Sequence, residues 1–160
     1  MTTKYDSPGA GLLRMWDRTR ALPLGRQIFS WLVGRRAPYT GTMGATVQVM
    51  EPGYARVTLR DRRGVRNHLA SIHAVALANL GELTTGLAVT TALHPSVRGI
   101  PVRLGVSYQK KARGTITAEC RCIPVPALTE PVDQVAMARL TDAAGDVVAD
   151  VEAVWRLGPT

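Results

Sequence analysis

The chain has 160 residues, enough for one domain with a full hydrophobic core or one subunit of an oligomer, and too few for two comfortable domains. Hydrophobic residues at 46% and charged residues at 20%, with 15 Gly and 10 Pro, exclude a low-complexity, collagen-like or largely disordered chain. The formal net charge of +8 is unevenly placed: residues 1–66 hold twelve Lys/Arg against four Asp/Glu, and residues 67–160 hold eight of each. The excess falls on Arg14–Arg36 and Arg56–Arg66. Such segments read either as a solvated face or as an attractor of polyanions. Few aromatics stand among these arginines, which argues against a stacking platform, so no nucleic-acid partner is expected.

Two cysteines, Cys120 and Cys122, stand two apart and suggest neither a disulfide framework nor a metal site. No secretory apolar run follows the start, and the stretch 72–97 carries Glu82, threonines and Pro95, which suits a membrane span poorly. A cytoplasmic protein is expected.

From the N-terminus, Leu12, Leu13 and Trp16, then Ile28, Phe29, Leu32 and Val33, recur at spacings of three and four between arginines. This predicts amphipathic helix broken near Pro23 and ended by Gly34 and Pro38. The segment can pack on the rest of the domain, cover a pocket, or lie on an anionic membrane surface. We take residues 1–39 as a helical extension and residues 40–160 as the main domain. From Ala45 to Leu59 the period changes to two, with Glu51-Pro52-Gly53 as the turn of a β-hairpin. About twenty residues without proline follow Ser71, a candidate N-cap, and are apolar nearly all round. Such a helix must be buried on most sides, and its alanines and glycines let neighbours approach closely. Four alternating strands follow, near 102–108, 116–122, 135–140 and 147–157, the last two joined by a Gly-containing turn at 142–146. The fold class is α+β, an antiparallel sheet of five to six strands curled around one long central helix.

Glu82 is the only acid between Asp61 and Glu119 and lies within the apolar helix. A carboxylate there either pairs, reaches solvent, or serves chemistry with its pKa raised by burial. If the helix starts at Ser71, the N–H groups of His73, Ala74 and Val75 are first-turn donors suited to an oxyanion or phosphate. Nine residues at about 100° and 1.5 Å each put His73 and Glu82 on opposite helix faces about 13 Å apart along the axis. One chain cannot bring them together.

These features resemble the hotdog-fold acyl-CoA thioesterase superfamily, in particular its phenylacetyl-CoA thioesterase-like members. The resemblance rests on Asn67, His73 six residues later and Glu82 nine after that, and on the strand Val106–Gly114 that ends in basic residues. The N-terminal helices are similar to those of a branch known only as a domain of unknown function. The resemblance implies hydrolysis of an acyl thioester, with no cofactor beyond the coenzyme A of the substrate. It also implies a homo-oligomer whose sites combine Asn67, His73 and the Ala74 N–H of one chain with Glu82 of another. Lys110, Lys111 and Arg113 would then hold the nucleotide phosphates of coenzyme A, unless they only guard a sheet edge. Ala74 and Val75 stand where that family has a glycine pair, and Gly86 where it has a hydroxyl residue, with Thr85 as a substitute only if the helix is rotated. A non-catalytic acyl-binding module is therefore the main alternative. His73 also reads as a capping residue, and Asn67 as a loop stabiliser.

Overall fold

A computed structural model describes residues 7–160. The first helix, α1 (Pro8–Arg20), is capped by Ser7, whose hydroxyl accepts from the Ala10 N–H at 3.0 Å, and has proline at its first position. The second, α2 (Gly25–Arg36), follows the expected break at Pro23. Pro38, expected to stop the helical segment, instead opens a third helix, α3 (Pro38–Met43). Its fixed φ and missing N–H suit that first position as well as they suit a terminator.

The hairpin is β1 (Thr46–Glu51) and β2 (Tyr54–Leu59), and the central helix is α4 (Ala74–Ala92). Then come β3 (Val97–Tyr108), β4 (Ile116–Arg121), β5 (Val132–Thr141) and β6 (Val147–Pro159). The six strands form one sheet in the order β1-β2-β4-β5-β6-β3, and every neighbouring pair is antiparallel. This is the hotdog fold.

The concave face of the sheet wraps α4, and Leu77, Leu80, Leu87, Ala88 and Val89 pack against Val57, Leu59, Ile116, Ala118, Leu140 and Val151. Gly81 makes the closest approach, since a Cβ there would stand 2.4 Å from two carbons of the Val151 side chain. The side of α4 that the sheet leaves uncovered meets the N-terminal helices, which also lie along β1. Trp16 of α1 and Phe29 of α2 interlock edge to face, with ring centroids 5.1 Å apart, so the apolar stripe of α1 is spent on packing. Leu22, Leu24, Ile28 and Trp31 remain exposed around α2. Among the described residues no helix is long and apolar enough to cross a membrane.

One strand differs from the pattern of the rest. β3 lies at the sheet edge, pairs only with β6, and leaves Ile100, Val102, Leu104 and Tyr108 exposed. Pro101 is tolerated there because an edge strand can spare an N–H and because the register shifts at that point.

The contact at Gly81 yields a direct test. Gly81→Ala overpacks the helix–sheet interface and is expected to cost about 1–3 kcal/mol, lowering Tm by roughly 3–10 °C in thermal unfolding.

Candidate functional site

The loop from Arg60 to His73 is organised by the side chains singled out in the sequence. Asp61 accepts from Arg66 at 2.6 Å and from the Gly114 N–H at 3.1 Å, which ties the loop to the start of β4 and holds its carboxyl below the ordinary range. Asn67 Oδ1 accepts from the Leu69 N–H, the Ser71 N–H and the Ser71 hydroxyl at 2.9–3.3 Å. That oxygen is committed to the loop, leaving only the Nδ2 amide for anything else. Ser71 is therefore not the N-cap: its hydroxyl turns back to Asn67.

His73 is the N-cap of α4, and its Nδ1 accepts from the Val75 N–H at 3.1 Å, which leaves the ring proton on Nε2. The His73 N–H donates to the Val65 carbonyl at 2.8 Å. Of the three N–H groups expected to be open, two are satisfied. Among the described residues nothing accepts from the third, that of Ala74, and the Tyr108 hydroxyl donates to the Ala74 carbonyl at 2.9 Å. This bond joins the end of β3 to the first turn of α4. His73, Val75, Ala76 and Asn79 line a groove of about 380 Å³ together with Arg66 and Tyr39.

The basic residues divide. Lys110 pairs with Asp142 and Asp146 at 2.7 Å each, clamping β3 to the β5–β6 turn, so its ammonium is already spent. Lys111 and Arg113 are exposed and flank Ala112, whose carbonyl accepts from the Ile72 N–H at 2.9 Å just ahead of His73. They border the start of α4.

Glu82 lies further along α4, on the same helix face as Val75 and Asn79. It is half-buried in a cavity of about 480 Å³ between α1, the α2–α3 corner and α4, lined also by Leu12, Met15, Leu83, Arg36 and Thr40. Its carboxyl has no ion-pair partner among the described residues, and burial alone pushes its pKa above the ordinary value of 4.5. His73 and Glu82 thus line separate cavities within one chain. Thr85 does not stand in for a water-positioning hydroxyl, because it is buried and its Oγ1 donates to the Glu82 carbonyl at 3.0 Å.

Three further residues belong to this region. The Thr40 hydroxyl donates to Asn79 Oδ1 at 3.0 Å and so joins a wall of one cavity to a wall of the other. Asn79 carries the signal that marked Glu82, a polar side chain in an otherwise apolar helix. Trp155 lies across Gly86, where a Cβ would stand 3.3 Å from the ring, and its Nε1–H is the one buried side-chain donor without a partner among the described residues. Cys120 and Cys122 are free thiols with sulfurs 3.8 Å apart. Among the described residues no cluster of His, Cys, Asp or Glu could hold a metal ion.

This arrangement can be set beside known proteins. A structural-genomics protein, APC5556, is 26% identical, superimposes with a TM-score of 0.81, and matches over 94% of this chain and all of its own. A Pseudomonas aeruginosa protein, PA5026, described as a probable thioesterase, is 25% identical with a TM-score of 0.72 over 87% of this chain and 97% of its own. The thioesterase HI1161 of Haemophilus influenzae, 11% identical with a TM-score of 0.65 over 76% of this chain and 82% of its own, shares the fold alone. No curated protein matches the sequence. Residues 25–157 match the family described as Domain of unknown function (DUF4442), and the chain belongs to that family.

The raised pKa of Glu82 has a consequence for stability. The folded protein holds this proton more tightly than the unfolded chain does, so the contribution of Glu82 to stability declines as pH rises from about 4.5 through the folded value and is level above it. Urea midpoints from pH 4 to 8 should show Glu82→Gln with a flatter profile and higher stability than wild type at neutral pH.

Proposed function

We propose that this protein hydrolyses acyl-CoA, or a related acyl thioester, at sites composed across a homodimer. The observation that carries the proposal is Glu82, an unpaired carboxyl held in an apolar wall with its pKa raised toward the range of a general base. The similarity to hotdog proteins described as thioesterases supports the same reading.

In the proposed reaction the Glu82 carboxylate takes a proton from water as its oxygen attacks the thioester carbonyl. The Ala74 N–H of the other protomer holds the developing oxyanion at the N-terminus of α4. Collapse of the tetrahedral intermediate breaks the carbon–sulfur bond, and the departing thiolate takes the proton from Glu82, leaving a carboxylic acid and a free thiol. Lys111 and Arg113, beside the start of α4, are suited to the nucleotide phosphates, a role in which Lys110 is hindered by its two aspartates.

The dimer is supported by β3, whose free edge and exposed Ile100, Val102, Leu104 and Tyr108 offer both main-chain pairing and apolar area to a second copy. The second reading is a binding module that holds acyl thioesters without cleaving them. It is favoured by the closed contact between His73 Nδ1 and the Val75 N–H, which leaves the Ala74 N–H as the one open oxyanion donor, and by the Cβ of Ala74 and the side chain of Val75, where glycines would admit a carbonyl more closely.

Thiol release from a panel of short, medium, long and aromatic acyl-CoAs separates the two. Wild type is expected to turn over at least one of them with activity that rises through an apparent pKa above 4.5, while Glu82→Gln loses at least 100-fold and stays dimeric by light scattering. Saturable binding without thiol release establishes the binding module, and a monomer removes the composite site.

A further inference from the structure

The cavity beside Glu82 belongs to a single protomer, and its shape specifies what it takes. We propose that it is the binding site for an unbranched aliphatic acyl chain of about eight to twelve carbons, seated methyl end inward with the carbonyl at Glu82. As an acyl site for hydrolysis this rests on the thioesterase reading; as a binding site for the chain itself it does not.

The walls are Leu12 and Met15 of α1, Val33 of α2, and Leu83 and Leu87 of α4, aliphatic side chains with no aromatic ring among them. The polar lining residues are Glu82, Thr40 and Arg36, with Ser7 and Thr90 near the start of α1 and the end of α4, where the Ser7 hydroxyl is already engaged in capping α1. That combination, an apolar body and a small polar group, matches an acyl chain and its carbonyl. The cleft is half open to the surface, and its volume of about 480 Å³ lies within the range of small-molecule sites. At ~30 Å³ for each methylene-sized unit, it holds a chain of this length with some slack.

Two glycines of α1 explain how the space persists. At Gly9 a Cβ would fall 2.2 Å from the Thr90 carbonyl oxygen, so glycine is what lets α1 cross α4 closely. Gly11, half a turn on, has no such reason: a Cβ there would meet nothing within 4 Å, although the residue lies inside the helix and lines the cavity. Glycine is the least favourable helix residue after proline, and here it leaves open the space that any side chain would enter.

The test uses the full chain and Gly11→Phe, which fills the cavity from a position where α1 gains rather than loses helix propensity. Calorimetric titration with decanoate is expected to show saturable binding to wild type and at least tenfold weaker binding to the variant, whose Tm is equal or higher. The ratio of decanoyl-CoA to acetyl-CoA turnover falls by at least tenfold in parallel. A diazirine-bearing fatty acid on wild type should label peptides spanning 7–20 or 82–92, a readout that stands even if the variant fails to fold. No decanoate binding to wild type, unchanged binding to a folded Gly11→Phe, or label confined to other peptides overturns the proposal. Decanoate binding blocked by Gly11→Phe without hydrolysis of any thioester sustains the cavity and removes the hydrolase reading; hydrolysis with equal chain-length profiles in both proteins does the reverse.

Discussion

An α-helix that is apolar nearly all round has to be covered nearly all round, and α4 makes that demand on the rest of the chain. The sheet supplies most of the cover and must curl to do so, which is why a β-rich chain closes around one helix. Gly81 sets how near the two come, because the absence of its side chain admits Val151. The remaining side of α4 is left for α1, the α2–α3 corner and whatever approaches β3. Both candidate cavities lie on that side: coverage there is partial, and partial coverage is where a small molecule can fit.

The sequence carried the architecture because its signals were periodic. Alternation of two along 45–59 and again from 102 onward could only be strand, and the apolar run after Ser71 was too long for anything but a buried helix. Boundaries were less legible. Pro38 is equally at home ending one helix or starting another, and its neighbours decide between the two. Ser71 and His73 both suit an N-cap, and the choice went to His73 once Asn67, four residues earlier in the chain, engaged the serine hydroxyl.

The candidate site was legible in part for a similar reason. Glu82 stood out because charge in an apolar helix is costly, and the structure places it in an apolar wall with a raised pKa. Lys110 looked the same as Lys111 in sequence, yet the turn at 142–146 brings two aspartates to one and not to the other. Long-range pairing of that kind leaves no local trace. The cavity was illegible too, since Gly11 differs from any other helix glycine only in the empty space beyond it.

The position of β3 also bears on how the chain acquires this structure. Although β3 precedes β4 and β5 in sequence, its one partner in the sheet is β6, the last strand. The hairpins β1–β2 and β5–β6 can form from neighbouring residues, but β3 has no strand to join until β6 is in place. Placing β3 therefore requires a contact between distant parts of the chain, the kind that slows folding most. During synthesis α4 emerges well before the sheet that buries it can close, and over that interval its apolar surface depends on the N-terminal helices, already made, for shelter.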